Sequence, residues 1–574
     1  MILSASTPTA SSQANASVLC HGNPRFADAN LARIARTEGP EAAWLAAFKR
    51  DGVRCAAGVS GDFAVALNDG QGRIYLAVDR FAIRTLCYRQ DGHQLRFAQR
   101  ADELISQDAE REAQIDPQAI FDYLYFHMIP SPRTIFRDVL RLPPAHYALF
   151  EGGELEVSPY WTASFHEDHH SSFESFRATF RQLLKDSVAT QLGQLDPSKV
   201  GCFLSGGTDS STVAGMLGAV SEQAANSYSI GFDAAGYDEM AYARIAAKHF
   251  KTRHHEYYVT PEDLVRSIAE VAAHYDQPFG NSSALPAFYC AKVARADGRE
   301  KMLAGDGGDE LFGGNSRYAK QRVFGWYQHL PEPLRNGLME PMLERRALSK
   351  VPLLRKAASY VEQAKVPMPD RLQMYNLLLR LGTEQVLTAD FLAQVDSTAP
   401  AEQQRAVWSQ AKDGKAIDQV LAFDWRYTLA ENDLPKVVGT TQLAGVAVGF
   451  PMLDERLLEF SLRLPADYKL KGLKLRWFFK EALRGFLPDE IISKKKQGFG
   501  LPFGVWATQH SGLRSLAEDS LNSLARRGIV RADFIRSLLA EKLAEHPGYY
   551  GEMVWILMML EQWLQAKAPK YGLS

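Results

Sequence analysis

The segment Val200-Gly201-Cys202-Phe203-Leu204-Ser205-Gly206-Gly207-Thr208-Asp209-Ser210-Ser211 sets an apolar run before two glycines and then small hydroxyl residues. Glycines let a backbone approach an anion closely. Free N–H groups, and the dipole of a helix opening there, favour negative charge. Ser205, Ser210 and Ser211 add hydroxyl donors. Asp209 makes sense beside phosphates only if a cation lies between them, and Mg²⁺ takes oxygen ligands of this kind. The loop lacks the Lys of a Walker-type loop, so gamma-phosphoryl transfer is not its natural chemistry. Alone, it reads equally well as a plain turn between a strand and a helix.

A second segment shifts that balance. Leu303-Ala304-Gly305-Asp306-Gly307-Gly308-Asp309-Glu310-Leu311-Phe312-Gly313-Gly314 follows another strand-like entry and sets three acids among five glycines. Buried packing has no use for such a composition, whereas a backbone shaped around a charged ligand does. Two further stretches stand out: Tyr275-Asp276-Gln277-Pro278-Phe279-Gly280-Asn281-Ser282-Ser283-Ala284-Leu285-Pro286, and Lys494-Lys495-Lys496-Gln497-Gly498-Phe499-Gly500-Leu501-Pro502.

These segments need elements to hold them. The chain has 574 residues, too many for one core. From residue 16 to about 160 the pattern is mostly strand-like, with short helical stretches at 30–36 and 41–49, an α+β arrangement. Residues 162–174 are polar and aperiodic and read as a linker; nothing with ligand spacing surrounds His169-His170. After the linker, strands alternate with helices: helix 175–192, strand 200–204, helix 211–220, strand 227–232, helix 239–250, strand 255–259. That rhythm predicts a parallel sheet with helices on both faces. From about 318 onward the pattern is mainly helical.

Composition bounds the function. Hydrophobic residues make up 46%, charged residues 23%, and the formal net charge is −2. This gives no reason to expect nucleic acid or a membrane as partner. The five cysteines, Cys20, Cys55, Cys87, Cys202 and Cys290, form no CxxC pair, which fits a reducing cytoplasm. Residues 1–17 read as a flexible lead-in without a secretory pattern. The apolar stretch 553–560 is shorter than the roughly 20 residues that span a bilayer and reads as a core helix.

The four segments, in their order and spacing from about 175 to 565, resemble the asparagine synthetase family. The resemblance implies a doubly wound parallel sheet of the pyrophosphate-loop (PP-loop) ATP pyrophosphatase type with a helical extension at 175–574, and an N-terminal α+β glutaminase-like (Ntn-type) sandwich at 1–161. It implies ATP and Mg²⁺ as cofactors. Asp209 and Asp309 match the family's Mg²⁺ ligands. Ser205, Gly207, Ser210 and Ser211 match its pyrophosphate cradle. Phe203, Ile230 and Gly305 lie where adenosine is held, and Leu204 and Gly206 complete the ATP-binding set. Lys496 matches a lysine that neutralises charge on the adenylate. Asp306 sits where asparagine synthetases carry an acid near incoming ammonia, whereas β-lactam synthetases have a tyrosine there. The implied reaction joins a carboxylate to ATP as an acyl-adenylate, releases pyrophosphate, and passes the acyl group to an amine.

The glutaminase-like part departs from its pattern. Gly61-Asp62-Phe63-Ala64-Val65-Ala66-Leu67 and Val78-Asp79-Arg80-Phe81-Ala82-Ile83-Arg84-Thr85-Leu86-Cys87-Tyr88 match its strands, but Ile2 stands where the family has its nucleophilic cysteine. Ser4 cannot replace it, because the N-terminal amine must belong to the nucleophile. The Arg-Gly-Pro clamp has no counterpart, the Asn-Gly-Glu segment reads His21-Gly22-Asn23, and an expected acid falls on Gly58. Cys20 reads as a strand residue. In the acceptor half, Val438-Gly439 replaces Asp-Arg, and Ala447 and Gly449 replace Glu and Arg. A free aspartate would need charges there, so a different or larger substrate is expected. The expectation is a ligase of specialised biosynthesis without glutamine hydrolysis, acting on a small-molecule or peptide carboxylate and working with partner proteins of a pathway. Lasso-peptide cyclases are similar. The alternatives are an ammonia-fed asparagine synthetase and a catalytically silent scaffold.

Overall fold

The computed structural model describes residues 3–6, 16–106, 114–328, 331, 352–411, 414–494 and 500–573. The strand Phe63–Asn68 shows how the N-terminal part is built. Successive side chains point to opposite faces. Phe63, Val65 and Leu67 pack with Trp44 and Phe48 of the helix Pro40–Asp51. Ala64 and Ala66 face the other way, towards Tyr88, Leu95 and Phe97. Each face therefore buries a separate core. A five-stranded antiparallel sheet (Glu154–Pro159, His146–Glu151, Ile74–Val78, Phe63–Asn68, Ser17–Gly22) lies between a helical layer and a four-stranded sheet.

The N-terminal lead-in does not behave as expected. Leu3–Ser6 forms the edge strand of the four-stranded sheet and pairs antiparallel with residues 94–97. An edge strand offers unpaired N–H and C=O groups, and this segment meets them. The stretch 162–174 is likewise held as a strap. The His166 amide donates to the Leu462 carbonyl (3.1 Å) and the Asp168 amide to that of Arg463 (2.8 Å). The Phe165 ring packs against Trp425 at 5.6 Å, and Ser172 caps the helix Phe173–Leu192.

The second sheet positions the site. Its five strands, all parallel, run in the spatial order Arg253–Val259, Asn226–Phe232, Val200–Phe203, Lys301–Leu303, Ala447–Gly449. By order of appearance this is 3-2-1-4-5. The order of strand addition reverses between Val200–Phe203 and Lys301–Leu303, and ligands of open α/β sheets bind outside the carboxyl ends at such a switch point. Both Gly-rich segments leave the sheet there.

The last helix, Pro547–Lys567, is apolar on all sides from Met553 to Leu560 and is buried throughout that run. No helix of the described residues is long and apolar enough to cross a membrane. The helix Pro117–Phe126, though N-terminal in sequence, packs into the same core, and the Tyr123 hydroxyl donates to the Ile556 carbonyl at 2.8 Å. Glu431 accepts from Arg141 (2.5 Å) and from the Ser131 hydroxyl (2.6 Å), both from the N-terminal part. The two parts are therefore pinned by apolar packing and by buried charge.

Candidate active site

The helix Thr208–Ser221 opens on Gly207, which offers no side-chain cap. Its first amides are left for a ligand. The loop before it is internally braced. The Ser205 amide donates to Ser210 Oγ (3.2 Å), the two hydroxyls lie 3.0 Å apart, and the Gly207 amide donates to Ser205 Oγ (3.4 Å). Gly206 has φ +68, and a Cβ there would meet the Tyr242 backbone at 2.4 Å, so only glycine fits.

The second loop packs directly on the first. A Cβ at Gly305 would lie 2.8 Å from the Ser210 amide nitrogen, and one at Gly308 would lie 2.3 Å from Asp209 Oδ1. The missing side chains let the Asp209 and Asp309 carboxylates converge. Between them lies the guanidinium of Arg476, 2.5 Å from Asp209 Oδ2 and also paired with Asp309 and Thr208. Arg476 is 5% exposed and has φ +52, a costly conformation for a residue with a Cβ. Asp209 Oδ1 is buried without a hydrogen-bond partner. Two converging carboxylates with an orphaned oxygen form a donor set that suits a hard divalent cation.

These loops floor a cleft of about 1150 Å³. Phe203, Leu204, Ser205, Gly207, Asp209, Ser210, Ile230, Gly305, Asp306 and Asp309 all reach its lining. Gly206 and Ser211 do not. Gly206 turns its carbonyl to Lys494 (3.4 Å), and the Ser211 hydroxyl is buried beneath the loop without a partner. Lys496 lies outside the described residues. An apolar side of the cleft, made by Phe203, Ile230, Pro286, Ala287 and Cys290, has the character of a base pocket.

The opposite side is charged. Lys436 Nζ stands 3.0 Å from Asp433 and 3.5 Å from Asp306. Burial works against the charge of Lys436, but Asp433 and Asp306 outweigh it and raise the pKa of the ammonium. Burial raises that of Asp306, with Lys436 opposing. Lys494 pairs with Glu239 (3.1 Å) and lies 4.4 Å over the Tyr242 ring. Burial, then the nearby Arg476, lowers the pKa of Lys480, another cleft residue. Sequence reasoning missed Arg476, Asp433, Lys436 and Lys480. Arg476 and Lys480 fall in a run of basic residues at 474–484 that could have pointed to them, whereas nothing local marks Asp433 and Lys436.

The acceptor-side expectation does not hold as stated. Val438, Gly439, Ala447 and Gly449 are not among the cleft's lining residues. A Cβ at Gly439 would meet the Tyr275 ring at 2.5 Å, and one at Gly449 would meet Gln191 Oε1 at 2.3 Å. Ala447 and Gly449 lie in the fifth strand. These small residues serve packing and do not widen the cleft.

Comparison with known proteins agrees with this architecture. The family model described as asparagine synthase matches residues 179–565, and that of a glutamine amidotransferase domain matches residues 30–161. The protein is thus an ATP-dependent carbon–nitrogen ligase with an amidotransferase-type N-terminal domain. It belongs to the asparagine synthase family. It is 22% identical over 526 residues to asparagine synthetase [glutamine-hydrolyzing] 1 of Bacillus subtilis, covering 90% of this chain and 79% of that protein. It is 26% identical over 505 residues to a putative asparagine synthetase of Mycobacterium tuberculosis, covering 82% and 71%. It is also 22% identical over 508 residues to amidase chry2 of Gibberella zeae, covering 80% and 72%.

Proposed function

We propose that the protein activates a carboxylate as its acyl-adenylate in the cleft above residues 205–211 and passes the acyl group to an amine, without hydrolysing glutamine. The observation that carries this reading is the meeting of two Gly-rich loops, with Asp209 and Asp309 converging, at the switch point of the sheet. Asp209 and Asp309 would hold Mg²⁺, which supplies charge neutralisation for the pyrophosphate. The amides opening the helix Thr208–Ser221 and the Ser205 and Ser210 hydroxyls bind phosphate oxygens. Arg476, Lys480 and Lys494, with Lys496, balance charge as a substrate carboxylate oxygen bonds to the alpha-phosphorus and pyrophosphate leaves. Asp306, on the charged side of the cleft beside Lys436, takes a proton from the attacking amine.

The absence of glutamine hydrolysis is supported by the cysteines. Cys55, Cys87, Cys202 and Cys290 are buried, and burial raises each thiol. Burial also pushes Cys20 up to about 12. A catalytic thiol needs the opposite shift. Glutamate release from glutamine by the pure protein would contradict this part of the reading.

Pyrophosphate exchange into ATP, measured with a panel of carboxylates, tests the whole. Exchange that requires one carboxylate supports the proposal and names the substrate; no exchange with any of them, with ATP failing to bind, favours a silent scaffold. A second reading, an asparagine synthetase fed by ammonia, is favoured by Asp306 and by Ser283 and Pro286 in the cleft lining. Exchange dependent on aspartate would select it.

A further inference from the structure

One nitrogen of Arg476 serves both carboxylates of the cleft floor. Its Nη2 lies 2.5 Å from Asp209 Oδ2 and pairs with Asp309 as well, while Nη1 donates to the Thr208 hydroxyl. Nε is buried without a hydrogen-bond partner. Nη2 thus stands where an ion shared by the two acids would stand. A guanidinium has donors only and cannot ligate a metal. Mg²⁺ needs oxygen ligands at about 2.0–2.1 Å. Arginine and metal therefore exclude one another.

Holding the nitrogen there strains the backbone. Residue 476 has φ +52 and ψ +36, in the left-handed region that residues with a Cβ rarely adopt. Such a conformation persists only where its surroundings over-determine it. Here those surroundings are Thr208, Asp209 and Asp309, together with the Gly313 carbonyl, which accepts from the Arg476 amide (3.1 Å). Before residue 476 runs the short hairpin of Leu470–Lys471 and Lys474–Leu475, and after it the helix Trp477–Ala482. Leu473, Lys474, Leu475 and Trp477 all line the cleft. The far arm of the hairpin is anchored: Leu470 is buried, and its carbonyl accepts from Arg322 (2.6 Å). A change at residue 476 is therefore felt at the rim of the cleft.

We propose that Arg476 is an autoinhibitory stopper: its guanidinium bars the cation site to free Mg²⁺ and is expelled only by Mg²⁺ that arrives with a nucleotide, which relaxes residue 476 and shifts the rim from Leu473 to Trp477. This rests on the ligase reading, which places Mg²⁺ between Asp209 and Asp309. Hydrated Mg²⁺ gives up its water reluctantly, so alone it does not displace a buried arginine. A nucleotide adds phosphate oxygens, which ligate the metal and give the displaced guanidinium a charge-assisted partner.

The test reads two signals from the full chain. One is Mn²⁺ binding without nucleotide, from the EPR signal of the free ion. The other is Trp477 emission, taken as the difference between the unmodified protein and Trp477→Phe. Lys471 Nζ lies 3.8 Å over the Trp477 ring, so a shift of the hairpin changes the charge that the indole meets. Glycine suits the left-handed φ, so Arg476→Gly removes the guanidinium without new strain. It is expected to bind Mn²⁺ at least tenfold more tightly than the unmodified protein, and a second change, Asp309→Asn, should abolish that gain. In the unmodified protein Trp477 emission should hold steady with Mg²⁺ alone and shift when α,β-methylene-ATP, which cannot release pyrophosphate, is added with it. A gain below tenfold, a gain that survives Asp309→Asn, a full Trp477 response to Mg²⁺ alone, or no response in the nucleotide complex overturns the proposal. If melting curves show Arg476→Gly to be misfolded, the Trp477 responses of the unmodified protein decide. Pyrophosphate exchange on the same preparation separates the two proposals. Exchange alongside equal Mn²⁺ binding by both proteins sinks the stopper alone, and a Mn²⁺ gain with a Trp477 response but no exchange sinks the ligase reading alone.

Discussion

The Arg476 guanidinium sits between the carboxylates of Asp209 and Asp309, 2.5 Å from Asp209 Oδ2, in the place a divalent cation would neutralise. Removing it leaves two facing carboxylates uncompensated, and breaking a buried pair in this way costs about 3–5 kcal/mol. Arg476→Ala should therefore melt well below the unmodified protein in EDTA. Added Mg²⁺ should raise its melting temperature more than it raises that of the unmodified protein. Equal Mg²⁺ shifts in a scanning fluorimetry series would show that the arginine and the cation do not share a site.

The floor of the cleft depends on a missing side chain. A Cβ at Gly308 would stand 2.3 Å from Asp209 Oδ1. Gly308→Ala is expected to fold, because the displaced atoms end a side chain, but to turn Asp209 away from Asp309. Pyrophosphate exchange should fall about 10²-fold, the scale seen when one preorganised electrostatic partner is lost. A variant within twofold of the unmodified rate would mean that the Asp209 position is not critical.

Much of this floor was legible in the sequence. Residues 200–211 and 303–314 announce themselves because their work is done by adjacent backbone, so their spacing is local. Asp433 and Lys436 were not legible, since each reaches the loops from more than 100 residues away and carries no local pattern, and the basic run around Arg476 does not say which of its members meets the loops. The substitutions at Val438, Gly439, Ala447 and Gly449 misled for a related reason. Lost charge looked like an altered pocket, whereas Gly439 is small because the Tyr275 ring covers it. The lead-in strand Leu3–Ser6 was invisible because its partner, not its composition, orders it.

Glu431 joins the two parts of the chain through Arg141 and Ser131. Burial opposes its charge, but Arg141 and Arg426 outweigh that and lower its pKa. Glu431→Ala strands both arginines and should cost about 3–5 kcal/mol. Limited proteolysis of the variant should release an N-terminal fragment sooner than in the unmodified protein. An unchanged cleavage rate would show that apolar packing alone holds the parts together.

His127 sets a pH dependence. Its folded pKa, about 4, lies below the ordinary value of 6.5 because burial disfavours the charged ring. The unfolded chain then binds a proton that the folded one refuses between those values. Stability should rise with pH from about 4 to 6.5 and level off above. The contribution is about 1–3 kcal/mol, allowing for partial exposure of the ring. His127→Asn keeps a side chain tolerated at its φ of +64 and should flatten this part of the profile. A denaturation midpoint in the variant that falls just as steeply towards pH 4 would contradict the assignment.

The central claim is that ATP is cleaved between its alpha and beta phosphorus atoms in the cleft where Asp209 and Asp309 meet. The direct measurement is a product analysis, by anion-exchange chromatography, of ATP turned over with Mg²⁺, an active carboxylate and an amine. AMP and pyrophosphate in equal amounts, both lost in Asp309→Asn, are the predicted result. ADP and inorganic phosphate, or AMP formation undiminished in Asp309→Asn, would contradict it.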